Sequence, residues 1–285
     1  MASPDFKYLS LQIEELFSQQ KSDFEISKLI KTAFKSYIST LNELFELDSG
    51  KDFCVRHTRH LDEFIILLFK YVLRDSFGDY RPSMNALPVT LVALGSYGRE
   101  QLGVFSDIDI MLVYKETKGY ALKELLERIL YLAWDAGLKL GHRVHEVEEL
   151  RDVAKTDITI KTAILESRFI YGSKFLWTEI ENELHAIRFS EREEFFHVKL
   201  REFWQRREQF PITMEPHLKE GVGGLRDANT LYWLGKMLYN IPSNKHLIGR
   251  LFYEEEYRSY RIAIDFLFRV RAALHLSAKK KEDRL

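Results

Sequence analysis

The sequence predicts an α+β chain: a small mixed sheet with helices, flanked by an N-terminal helical segment and a C-terminal helical bundle. Three observations predict it. Helical periodicity governs the first eighty residues and returns after about residue 150. Between these stretches lie short β-branched runs bounded by turn formers. A single crossover helix separates the second run from the third, a spacing that suits a compact module better than a doubly wound sheet. The expected division is an N-terminal helical segment at 1–80, an α/β core at 81–150, and a helical domain at 151–285 that completes the site.

The elements follow in order. Tyr8, Leu11, Ile13, Leu16 and Phe17 form one apolar stripe, and Ile26, Leu29, Ile30, Ala33, Phe34 and Tyr37 begin a second. Leu61, Phe64, Ile65, Leu68, Phe69 and Val72 form a third. Ser76–Pro88 is rich in turn formers and reads as a linker. Val89–Leu94 is short, apolar and bounded by Pro88 and Gly95, hence a buried strand; Ile108–Tyr114 is a second. Tyr120–Ala136 is helical, with Gly137 as its stop. Leu140–Val147 is a candidate third strand. Helical patterns then cover Ile158–Tyr171, Lys174–Ile187, Glu191–Phe210, Asp227–Tyr239 and Glu255–Leu276.

Composition narrows the function classes. The 285 residues carry a formal net charge of −1, which argues against broad, charge-driven nucleic-acid binding. The single cysteine, Cys54, excludes an intramolecular disulfide framework and reads as core filler. No signal peptide is visible, and apolar runs such as 64–69 are far below the ~20 residues a membrane span needs. A cytoplasmic protein without a membrane partner is the expectation.

Chemistry concentrates at 94–109, LGSYGREQLGVFSDID. On a strand, Asp107 and Asp109 point the same way while Ile108 and Ile110 face the core. Paired carboxylates repel unless a cation lies against them, and oxygen-only ligands suit Mg²⁺ or Mn²⁺ shared with substrate phosphates. The alternative is a plain strand start with solvated acids. Gly95 and Ser96 at the preceding strand end favour the first reading, because a glycine lets backbone N–H groups approach phosphate; Arg99 would add a fixed charge.

The second informative stretch is EGVGGLRD. Gly221, Gly223 and Gly224 cost backbone entropy that some unusual geometry must offset. Either a loop folds over the nucleotide with Lys219 or Arg226 on phosphate, or a tight interhelical turn is capped by Asp227. Glu166 and Arg168 read as a local charge pair within a helix, and Phe195, Phe196, Phe203 and Trp204 as core.

The pattern Gly95, Ser96, Gly98, Arg99, Ser106, Asp107, Asp109 resembles the signature of the DNA polymerase β-type nucleotidyltransferases. Within them the chain is most similar to the bacterial PII uridylyltransferase/uridylyl-removing family. WDAGLKLGHRV at 134–144, LESRFIYG at 165–172, EPHLKEGVGGLRDANT at 215–230 and ALHLSAKKKEDRL at 273–285 resemble further family stretches. The resemblance implies transfer of UMP from UTP to a tyrosine of a PII-type protein. It implies Asp107 and Asp109 as metal ligands, and Gly95, Ser96, Gly98, Arg99, Ser106, Lys219, Gly223, Gly224 and Arg226 as nucleotide-binding residues. It also implies a third carboxylate on a neighbouring strand. Glu146, on the face of His142, is the acid in the 140–147 stretch, although it also reads as a surface acid before Glu148 and Glu149. The alternatives are a catalytically silent nucleotide-binding module or transfer to another hydroxyl acceptor. Relatives continue into HD hydrolase and ligand-sensing domains. This chain holds no His-Asp dipeptide, so a fragment without the removal activity is expected.

Overall fold

The computed structural model describes residues 5–79 and 82–285. Tyr80 and Arg81, within the expected linker, and the first four residues lie outside the described residues.

Three helices open the chain: α1 (Phe6–Ser18), α2 (Asp23–Leu47) and α3 (Gly50–Phe77). Each begins on a sequence-encoded cap. Asp5 accepts from the backbone N–H groups of Lys7 and Tyr8, Ser22 and Glu25 form a capping box, and Ser49 accepts from the Asp52 N–H. The sheet follows, with β1 (Val89–Ala93), a single turn α4 (Gly95–Gly98), β2 (Ile108–Tyr114), the crossover helix α5 (Leu122–Asp135) and β3 (Leu140–Glu146). Gly137 has φ +85° and ends α5, as its position predicts.

The strand order is β3-β2-β1-β4. β2 pairs with β3 in parallel and β1 pairs antiparallel with both β2 and β4, so the sheet is mixed. The fourth strand, β4 (Arg168–Gly172), comes after α6 (Leu150–Thr156) and α7 (Ile158–Ile164). It overturns the reading of Ile158–Tyr171 as one helix. The apolar residues that fit a helical stripe there also fit an edge strand, and pairing with the end of β1 decides between them.

Strand alternation gives the sheet two buried faces. Leu91, Ala93, Ile108, Ile110 and Leu112 share one core with α1, α2, α3 and α5. Val92, Met111 and Val113 share the other with α6, α7 and α8 (Lys174–Phe189). The chain ends in α9 (Arg192–Gln209), α10 (Leu225–Tyr239) and α11 (Glu254–Ala278). α11 packs along α3 and so returns to the sheet end where β2 starts. Cys54 is buried filler, its thiol pushed up to about 12 first by burial. No helix among the described residues is long and apolar enough to cross a membrane.

Candidate active site

Backbone pairing brings the two informative stretches of 94–109 together. β1 and β2 run antiparallel with Ala93 opposite Ile110, and the Leu94 N–H donates to the Asp109 carbonyl at 2.9 Å. The turn at Gly95 therefore lies beside the carboxylate of Asp109. Gly95 has φ +57°, a conformation that glycine adopts without a steric penalty. The place where a Gly95 Cβ would sit is 3.4 Å from Asp109 Oδ2. On the other flank, Asp109 pairs in register with Gly141 of β3, where an added Cβ would lie 2.6 Å from Asp109 Oδ1. Two glycines thus make the slot in which this carboxylate stands.

Asp107 precedes β2 by one residue, and both aspartates line one cleft of about 740 Å³. Burial, and then the neighbouring Asp107 charge, raise the Asp109 pKa; Lys281 and Arg143 work against that rise. Lys281 Nζ lies 3.4 Å from Asp107 Oδ2. Among the described residues no group of three or more His, Cys, Asp or Glu side chains is gathered into a metal cage. Two open carboxylates flanked by glycine fit a cation such as Mg²⁺, which takes one or two protein carboxylates and completes its shell with water and phosphate. Asp107 and Asp109 would hold it.

The third acid is not the expected one. Glu146 pairs in register with Tyr114 at the far end of β2, and the Tyr114 hydroxyl donates to its Oε1 at 3.3 Å. Five residues of strand, about 16 Å, separate it from the level of Gly141 and Asp109. The acid that stands beside the Gly95 turn is Glu166. It leads into β4, is 4% exposed, and its Oε2 lies 3.8 Å from the Gly95 Cβ position. Arg99 and the Trp233 indole N–H both donate to Oε1, which leaves Oε2 as the oxygen facing Gly95 and Asp109. Glu166 is therefore not paired with Arg168, whose guanidinium makes a fork with Asp62 at 2.8 and 3.0 Å.

Gly95, Ser96, Arg99, Ser106, Lys219 and Arg226 line the cleft with the two aspartates. Gly98, Gly223 and Gly224 do not. Gly98 lets α4 press against β4's approach: a Cβ there would meet the Glu166 carbonyl at 2.0 Å. Gly223 has φ +75° with open space around it, and its N–H donates to Asp227 Oδ2 at 2.9 Å. Gly224 is the N-cap of α10, so the tight-turn reading describes those glycines while Lys219 and Arg226 keep their place on the cleft. Arg226 is held by Glu220 at 3.1 Å, and the Lys219 pKa is lowered chiefly by burial and then by Arg226. His142 stacks edge-on to Trp134 and His145 faces Glu149, so neither belongs to the cleft wall. Of the four aromatics expected in the core, Phe195 is buried, whereas Trp204 is 56% exposed.

Sequence reasoning missed Lys199 and Arg206 of α9, which line the same cleft. Lys199 is 4% exposed and pairs with Glu202, and Arg206 pairs with Asp227. Lys199 and Glu202 are an ordinary i,i+3 pair on the helix, so no local pattern marks the first as a cleft residue.

Residues 73–165 match the nucleotidyltransferase domain family, and residues 194–285 match the family described as GlnD PII-uridylyltransferase. Over 209 residues, 69% of the chain, it is 36% identical to a bifunctional uridylyltransferase/uridylyl-removing enzyme of Novosphingobium aromaticivorans. The chain spans 22% of that relative's length.

Proposed function

We propose, for a chain that belongs to the PII-uridylyltransferase family and is an enzyme of nucleotidyltransferase type, that this cleft transfers UMP from UTP to a tyrosine hydroxyl of a PII-type signalling protein. One observation carries the reading: an acidic rim of Asp107, Asp109 and Glu166 beside the Gly95 turn, in one cleft with Lys199, Lys219 and Arg226. The acceptor oxygen bonds to the α-phosphorus as the α–β phosphoanhydride bond breaks, and pyrophosphate leaves. A bound Mg²⁺ or Mn²⁺ supplies charge neutralisation at the α-phosphate and lowers the pKa of the acceptor hydroxyl. The Gly95 turn and Ser96 take phosphate oxygens, and Lys219 and Arg226 hold the departing pyrophosphate charge. The carboxylate we assign to the acceptor proton is Glu166, through the oxygen that Arg99 and Trp233 leave unused. UTP as the nucleotide and PII as the partner rest on what the relatives are called.

The test is Mg²⁺-dependent transfer of label from α-labelled UTP to a PII protein. Asp107→Asn and Asp109→Asn should each lower transfer roughly 10²–10⁴-fold with the fold intact by circular dichroism. Transfer undiminished in both variants would sink the reading. UTP binding without turnover would mark a silent binding module, and label on another hydroxyl compound would move the acceptor.

A further inference from the structure

A lysine from the end of the chain stands against the two-aspartate rim. Lys281 Nζ lies 3.4 Å from Asp107 Oδ2, and Lys281 lines the same cleft. Its position is built rather than accidental. α11 ends at Lys279, which has φ +53° and turns the chain back over the cleft. Two residues beyond Lys281, the segment is anchored twice. The Leu218 N–H donates to the Asp283 carbonyl at 2.7 Å, just before the Lys219 loop. The Asp283 carboxylate takes the Arg271 guanidinium, whose Nη2 lies 3.5 Å from Ser106 Oγ, the residue before Asp107. Both ends of that relay are well buried, with side chains 9% and 11% exposed. The segment 281–284 therefore ties the turn that carries Asp107 to the loop that carries Lys219, while the Lys281 side chain itself is 44% exposed.

We infer that Lys281 is the resident counter-cation of the acidic rim and is displaced from Asp107 when the metal–nucleotide complex enters, a role that rests on the metal-binding reading above. A lysine ammonium and a divalent cation held by the same carboxylate repel each other, so each weakens the binding of the other. The flexible lysine stem lets the ammonium leave at little cost, and the nearest new anion in the cleft is the triphosphate. Lys281 thus holds Asp107 ready when the site lacks metal and binds phosphate when the site is loaded.

The prediction has two opposite signs. Lys281→Met should tighten Mn²⁺ binding to the nucleotide-free chain about two- to fivefold, the scale of a half-exposed ion pair, measured by electron paramagnetic resonance of free Mn²⁺. The same variant should raise KM for UTP and leave kcat within about twofold, and Lys281→Arg should stay near wild type in both. In an Asp107→Asn background, Lys281→Met should have no effect on Mn²⁺ affinity. Unchanged Mn²⁺ affinity in Lys281→Met overturns the proposal, and so does an equal gain in the Asp107→Asn background. If Asp107→Asn and Asp109→Asn both leave Mn²⁺ binding unaltered, the metal reading itself is wrong. A purely structural role for Lys281 would lower the melting temperature and move neither binding constant in these directions.

Discussion

At the residue scale, the position of Asp109 between Gly95 and Gly141 makes an unusual pair of effects predictable. Gly141 lies on β3 without a positive φ, so alanine there meets no backbone strain and reduces the freedom of the unfolded chain. Its Cβ would nonetheless fall 2.6 Å from Asp109 Oδ1, and the movable end of that carboxylate must give way. Gly141→Ala should therefore leave the melting temperature equal or raised while lowering nucleotidyl transfer at least tenfold. Thermal melts and the α-label assay on one preparation check both halves. The two aspartates were legible because strand alternation alone puts Asp107 and Asp109 on one side. Glu146 shows the limit of that logic: alternation tells which face a residue is on, not which level of the neighbouring strand it meets. Parallel register puts Gly141, not Glu146, beside Asp109. Glu166 was hidden for another reason: its partners Arg99 and Trp233 are each 67 residues away in sequence, and no local pattern encodes them.

At the scale of elements, α3 is tied to β4 by the fork between Asp62 and Arg168, whose side chains are only 13% and 24% exposed. The same guanidinium lies 5.4 Å from the centre of the Tyr97 ring, itself fully buried in α4. Asp62→Ala would strand a mostly buried cation at the junction of α3, α4 and β4. Breaking a buried pair from one side costs about 3–5 kcal/mol, and the residual exposure of Arg168 puts the expected loss at or below the lower figure. Urea unfolding should show a reduced midpoint at unchanged slope. Asp62→Asn, which keeps an acceptor, should lose less. The long helices were legible because their apolar stripes are local, as with Ile26, Leu29, Ile30 and Ala33 of α2. β4 was not, since five residues reading RFIYG carry too short a pattern to tell an edge strand from a helical turn, and only β1 settles it.

At the scale of the whole molecule, one continuous core runs from Leu9 in α1 through the sheet to Ile170 in β4, so the N-terminal helices and the sheet are expected to melt together. A histidine near its centre gives that shared core a pH dependence. His57 is 2% exposed, accepts or donates one hydrogen bond at 2.9 Å with the Tyr37 hydroxyl, and stacks between Tyr37 and Phe53. Burial, and then the nearby His60, push its pKa down to about 3. In the unfolded chain the ring takes up a proton near pH 6.5, whereas in the folded chain it stays neutral until far lower pH. The unfolded state therefore binds more protons throughout that window, and stability falls as pH falls from about 6.5 towards 3. The slope from this one group approaches about 1.4 kcal/mol per pH unit once the unfolded ring is protonated. Melts between pH 7.5 and 5, above the range where carboxylates titrate, should show a declining midpoint. His57→Phe keeps the stacking and loses the proton site. It should melt lower at pH 7.5, because Tyr37 loses its partner, yet show a flatter pH profile. A His57→Phe profile as steep as wild type would place the titrating group elsewhere. If the core is continuous as described, far-ultraviolet dichroism and nucleotide-protected fluorescence should follow that decline with one midpoint, because the helices and the cleft stand on the same packed interior.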